Sequence, residues 1–162
     1  DYTNQIGTAA AEIRVGTSGA DLIVGNGGAD VLKGASGDDV LAVSDTTFKY
    51  VVGGFGTDTF RIDGAGINLD LTAKADNAIQ SIERIDLTGS GNNTLSLNLR
   101  DVLTMSEATN TIRIDANAGD TVNVTGGWVS GGTQTIGSET YAVYTNGQGT
   151  LLIDNDATRN VS

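Results

Sequence analysis

Aspartates 21, 30 and 39 stand nine residues apart, and Asp58 follows two such steps and one extra residue later. Each lies two positions before an apolar residue, Ile23, Leu32, Leu41 or Phe60, and each follows a glycine by two residues: Gly19, Gly28, Gly37 and Gly56. Carboxylates at a fixed interval do chemistry only if the fold stacks them. Stacked, they repel one another unless a cation lies between them. A hard divalent ion such as Ca²⁺, which takes six to eight oxygen ligands, fits that arrangement.

The elements that would position these acids form an array with a period of nine. Three contiguous units read GTSGADLIV (16–24), GNGGADVLK (25–33) and GASGDDVLA (34–42), with Gly at positions one and four and Asp at position six. A ten-residue unit, VSDTTFKYVV (43–52), lacks the glycines and the sixth-position acid; GGFGTDTFR (53–61) restores both. Upstream, GTAAAEIRV (7–15) reads as a degraded copy, with Glu12 at the acid position. Six residues that turn and three that extend make half a coil of a parallel β-solenoid, so alternate units stack on opposite edges. Glycines at positions one and four are expected to adopt positive φ and direct carbonyl oxygens inward.

On this reading Asp21 shares an ion with Asp39 and Asp39 with Asp58, while the other edge pairs Glu12 with Asp30 and has no acid above Asp30. Carbonyls of Gly16, Ser18, Ala35 and Gly37 complete the first site. The expected metal-bearing set is Gly16, Ser18 and Asp21; Gly25, Gly27 and Asp30; Gly34, Ala35, Ser36, Gly37 and Asp39; and Gly54, Gly56 and Asp58. Ile23, Leu32, Leu41, Val51 and Phe60 should form a thin core between two sheets, about one strand spacing, ~4.8 Å, separating successive coils.

These units resemble the GGxGxDxUx nonapeptides of the RTX family of proteins exported by bacterial type I secretion, over residues 7–62. The resemblance implies a Ca²⁺-bound parallel β-roll. Thr17, Asn26 and Ala35 depart from it, standing where the family prefers a second glycine. The stretch ERIDLTGSGNNTLSL, followed by DANAGDTV and a closing hairpin, is similar to the C-terminal ends of very large RTX adhesins. That implies an uncleaved secretion signal, the type I secretion machinery as a partner, and an extracellular or cell-surface location.

Composition points the same way. The formal net charge of −11 argues against nucleic acid and anionic membrane surfaces as partners. With no Cys and no His, thiolate sites, zinc sites and His-based acid–base catalysis are excluded. We expect neither a leader peptide nor a membrane span. Glu83 and Asp86 form an acid pair, but no nucleophile–base constellation accompanies them, so no enzymatic activity is expected.

Beyond residue 62 the period vanishes, although INLDL, IERIDL, TLSLNL, TIRID and TVNV keep apolar residues at alternate positions. The expected organisation is a lead-in (1–15), a calcium β-roll (16–62) and a β-rich cap (63–162). One helical turn is expected near Arg100–Met105, and a hairpin around Asn146-Gly147. Ile112, Ile114, Val122, Val124, Trp128, Tyr141, Val143, Leu151 and Ile153 are expected core. DANAGD (115–120) offers Asp115, Asn117 and Asp120 as a second calcium loop, with a solvated turn the favoured reading. The whole is all-β, a calcium-dependent folding module; adhesion or self-assembly is the alternative, with other copies or surface glycans as partners and Trp128, Tyr141 and Tyr144 as stacking platforms.

Overall fold

A computed structural model describes residues 2–162. The first seven strands are β1 (Thr3–Ile6), β2 (Ile13–Val15), β3 (Asp21–Val24), β4 (Val31–Ser36), β5 (Val40–Val43), β6 (Tyr50–Phe55) and β7 (Thr59–Ile62). They alternate between two parallel sheets, β1-β3-β5-β7 on one side and β2-β4-β6 on the other. The register follows the repeat: Ile23 lies beside Leu41 and Leu41 beside Phe60, while Leu32 lies beside Val51. All five are fully buried. Burial of each contributes roughly 1.5–3 kcal/mol relative to exposure, which is how a structure so thin acquires a core.

Residue 62 ends the short coils and not the solenoid. The chain continues through β8 (Asn68–Asp70), a 3₁₀ turn (Leu71–Ala73), β9 (Ile79–Gln80), β10 (Arg84–Asp86), β11 (Thr94–Asn98) and α1 (Leu99–Met105). It closes with β12 (Thr111–Asp115), β13 (Thr121–Thr125), β14 (Val129–Ile136), β15 (Glu139–Asn146), β16 (Gly149–Asp154) and β17 (Thr158–Val161). The long sheet runs across this boundary in the order β1-β3-β5-β7-β10-β12-β16, all parallel, then turns antiparallel through β15 and β14. The second sheet ends at β9, and a third, β17-β13-β11-β8, adds another wall. The change at residue 63 is therefore one of coil length and of wall number, within an unbroken sheet.

Helix α1 packs against β9, β11, β12 and β16. It starts where it does because Asn98 accepts hydrogen bonds from the backbone N–H groups of Arg100 and Asp101, while Asp101 accepts one from Asn98 at 2.8 Å. Val102 and Met105 turn into the core. Asn146 ends β15 and pairs with Gly149 at the start of β16, with Gly147 in the turn between them. Of the C-terminal residues expected in the core, Val143 alone is only half-buried. It shares a face of β15 with Tyr141, opposite the face whose residues Ala142 and Tyr144 lie beside the core residues Ile153 and Leu151, and it sits against Gly131. No helix among the described residues is long and apolar enough to cross a membrane.

Candidate metal centre

The turns that precede β3, β5 and β7 lie one above another along one edge of the long sheet. A ladder of carboxylates links them. Asp39 Oδ1 accepts the backbone N–H of Asp21 at 2.8 Å, 18 residues away, and Asp58 Oδ1 accepts that of Asp39 at 2.9 Å, 19 residues away. All three side chains are buried, with exposures of 0, 1 and 0 % for Asp21, Asp39 and Asp58. One oxygen of each is left without a partner: Asp21 Oδ1, Asp39 Oδ2 and Asp58 Oδ2. A buried acceptor in that condition costs on the order of 1–3 kcal/mol, and more when charged. Oxygens in that condition along one edge suit hard cations; Asp39 and Asp58 leave free the Oδ2 beside their position-one glycine, whereas at Asp21 that oxygen accepts the Thr17 N–H and hydroxyl and the free one is Oδ1.

The glycines act differently from the expectation drawn from sequence. Gly16, Gly25, Gly34 and Gly53, at position one, do not adopt positive φ. They are glycine because the sixth-position carboxylate occupies the space of a Cβ. A Cβ on Gly16 would come within 2.6 Å of Asp21 Oδ2, and one on Gly25 within 2.5 Å of Asp30 Oδ2; Gly34 and Gly53 face Asp39 Oδ2 and Asp58 Oδ2 in the same way. The same space also admits a carbonyl of the next coil, that of Gly34 for Gly16 and that of Gly53 for Gly34. Positive φ is found at position four in Gly28, Gly37 and Gly56, where each backbone stacks on the coil before it, though not in Gly19.

Position two also takes positive φ, at 62° in Asn26, 84° in Ala35 and 118° in Gly54. An alanine in the left-handed region costs roughly 1–2 kcal/mol, against about 0.5–1 kcal/mol for the extra freedom of glycine when unfolded. Ala35→Gly is therefore expected to stabilise the calcium-loaded protein by up to about 1 kcal/mol, read as a higher urea midpoint with an unchanged number of bound ions. A lower midpoint would show that the strain is not real. Of the remaining expected residues, Ser36 and Gly37 lie in the Asp39 turn, where Gly37 N–H bonds the Phe55 carbonyl at 2.8 Å; Ser18 is exposed on the rim of the Asp21 turn.

The opposite edge is poorer. Asp30 Oδ1 accepts the N–H of Glu12 at 2.8 Å, so the expected pair does meet. The Glu12 carboxylate is engaged, however, by Thr8 N–H and hydroxyl and by Arg14 at 3.0 Å, which hold it below the usual carboxylate range. The position level with Asp30 in the next coil is Lys49, whose N–H bonds the Asp30 carbonyl. Asp45 reaches the same turn from the irregular unit, with Oδ2 2.8 Å from where a Gly27 Cβ would be, and spacing alone had not singled it out. Burial first, and then the charges of Glu12 and Asp45, raise the Asp30 carboxyl.

Electrostatics sharpen the strong edge. Burial raises the Asp39 carboxyl, reinforced by the charges of Asp21 and Asp38. Burial pushes Asp58 up to about 6, with Asp39, Glu83 and Asp38 adding to the shift. Each of these groups resists ionising without a cation nearby.

The DANAGD stretch does not form a loop around a common centre. Asp115 is held by Arg84, by Arg113 at 2.7 Å and by the Tyr141 hydroxyl at 2.6 Å, a network whose burial helps raise Tyr141 to about 12. Asn117 Nδ2 donates to the Thr88 carbonyl. Asp120 is fully buried and not solvated: its Oδ1 accepts Asn93 N–H at 2.8 Å and its Oδ2 accepts Asn117 N–H at 2.7 Å. Asn93 Oδ1 in turn accepts Ile67 N–H at 2.9 Å. The third sheet thus carries a ladder of the same form whose oxygens are already satisfied.

Parallel coils whose turns stack buried, half-satisfied carboxylates define a class, the calcium-binding β-roll repeats. Residues 6–43 match the family model of the RTX calcium-binding nonapeptide repeat, described as four copies. That segment carries nonapeptide repeats of the RTX type, and such repeats bind calcium ions. No curated protein and no solved structure matches the chain. The matched segment contains Asp21, Asp30 and Asp39 and stops before Asp58. The oxygens that lack partners fit the ion: the donor set is carboxylate and carbonyl throughout, in a chain without His or Cys.

Proposed function

We propose that this chain is a calcium-dependent folding module of a secreted RTX protein, an adhesin by the resemblance of its C-terminal region. In this reading the metal-bearing residues are those named from the sequence, with Asp21, Asp39 and Asp58 on the strong edge. The observation that carries it is the row of buried carboxylate oxygens without partners on that edge. At low calcium the acids repel and the roll is not stable; at extracellular concentrations, ions and fold arrive together. Passage through a type I secretion channel would take the open form, and folding would follow outside. The β-rich segment 63–162, sharing the long sheet with the roll, closes one end of it. The repeats are structural and calcium-binding, which supports a role other than catalysis.

Circular dichroism during a calcium titration is the test. Strand signal should rise with a midpoint in the range of roughly 0.1–1 mM, typical of extracellular modules, and a chelator should reverse it. A spectrum and a melting point that calcium leaves unchanged would overturn the proposal.

Self-assembly is a second reading with one observation in its favour. Among the described residues no strand pairs with the outer edge of β1 or β2, where Ile6, Ile13 and Val15 are exposed at 56, 75 and 52 %. Trp128 and Tyr141, by contrast, are buried and offer no stacking platform. Mass measurement of the calcium-loaded chain separates the two readings.

A further inference from the structure

We propose a further calcium site at the end of the strong edge, between the turn that carries Asp58 and the segment Ser81–Glu83, outside the matched repeats. It rests on the calcium reading above and extends it to residues that no nonapeptide supplies. In the two regular intervals of the ladder the same three parts recur. A position-one glycine leaves room, the sixth-position Asp of its own turn puts an oxygen there, and a carbonyl of the next coil comes beside it: Gly16, Asp21 and the Gly34 carbonyl, then Gly34, Asp39 and the Gly53 carbonyl. The next interval repeats this with Gly53, Asp58 and the Ser81 carbonyl. Ser81 therefore stands where a repeat would place its first glycine.

Glu83 then stands where a repeat would place its aspartate. Its Oε2 accepts the backbone N–H of Asp58 at 2.9 Å across 25 residues, as Asp58 Oδ1 does for Asp39 at 2.9 Å across 19. The longer side chain makes up for a coil that is no longer nonapeptide. An independent observation points to a ligand: Asp58 Oδ2, on a side chain with no exposed surface, has no hydrogen-bond partner and lies beside the Ser81 carbonyl. A cleft of about 280 Å³ adjoins this place on its solvent side, lined by Gly54, Gly56, Ser81, Glu83 and Glu107, with the buried Asp58 carboxylate behind it and not in its wall. Arg84 turns to Asp115, and among the described residues Glu83 has no salt-bridge partner, unlike Glu12 with Arg14.

Native mass spectrometry of the full chain in millimolar calcium reads the result. Glu83→Gln keeps an oxygen for the Asp58 N–H but loses the charge, so it should hold one ion fewer than the parent and keep the others. An equal count, with equal titration midpoints, overturns this site and leaves the calcium module standing; a parent that holds no calcium overturns both. A measurement on the parent alone guards against a variant that fails to fold. With a lanthanide replacing calcium, anomalous scattering should show a peak between Asp58 and Ser81. Its absence, when the intervals at Asp21–Asp39 and Asp39–Asp58 are filled, also overturns the site.

Discussion

Asp39→Ala should abolish most of the calcium response, raising the folding midpoint at least tenfold, whereas Asp30→Ala should move it by less. Asp39 faces two intervals of the strong edge, so one substitution removes a ligand from both. It also removes the acceptor of the Asp21 N–H, and a buried donor left unpaired costs about 1–3 kcal/mol. Each ion present at a hundred times its Kd contributes about 2.7 kcal/mol, so losing two is a large part of a marginal fold's stability. Asp30 faces Glu12, already occupied by Arg14 and Thr8, and Lys49 on its other side.

Asp39→Asn separates the two roles of the side chain. An amide oxygen can still accept from Asp21, as Asn93 does from Ile67 in the third sheet, yet the unpartnered oxygen becomes an amide nitrogen that cannot bind a cation. The metal-free fold should be as stable as the parent's or more so, because one repelling charge is gone, and the calcium response should be lost. If Asp39→Asn kept a midpoint within twofold of the parent, Asp39 would not be a ligand. Equal effects of Asp39→Ala and Asp30→Ala would remove the distinction between the edges.

The contrast between Asp39 and Asn93 also explains what sequence could and could not reveal. In the roll, a coil of two nonapeptides leaves each turn residue one fixed role. The inward positions of Ile23, Leu32, Leu41, Val51 and Phe60 follow from counting, and so does the alignment of Asp21 with Asp39. Past residue 62 the coils lengthen by unequal amounts, to intervals of 25 from Asp58 to Glu83 and 27 from Asn93 to Asp120. Backbone pairing continues in register, but the repeat period does not survive, so Glu83 read as one of many surface acids and Asp120 as part of a solvated turn or a local calcium loop. The misjudged glycines have a different cause. Sequence shows that a side chain is missing and not whether φ or space demands it; only the position of Asp21 Oδ2 against Gly16 decides for space.

Opposite responses to pH with and without calcium are the other large effect expected. Without metal, the Asp58 carboxyl titrates at about 6 in the folded chain, against an ordinary 3.8, and Asp39 and Asp30 are raised as well. A raised carboxyl means that the folded chain binds protons more tightly than the unfolded one. The cost of ionising Asp58 is then absent below about pH 4, grows between there and about 6, and is complete above, on the order of 2–3 kcal/mol. Glu12, lowered, runs the other way, but its carboxylate is solvated and weakly coupled to folding. Metal-free protein should therefore become more stable as pH falls from 7 to 5.

With calcium the sign reverses, because the ion needs the ionised carboxylate and each proton taken up displaces it. Stability in 10 mM calcium should fall over the same interval, and the two curves should converge near pH 5. Strand signal of dialysed, metal-free protein and urea midpoints of calcium-loaded protein, each at pH 5 and 7.5, measure both slopes. Asp58→Asn should flatten the metal-free slope, since it removes the carboxyl that burial pushes up to about 6. Slopes of the same sign would mean that the buried acids do not govern folding, whatever their alignment. Slopes of opposite sign in the parent, and a flat one in the variant, would tie the calcium requirement to repulsion along a single edge.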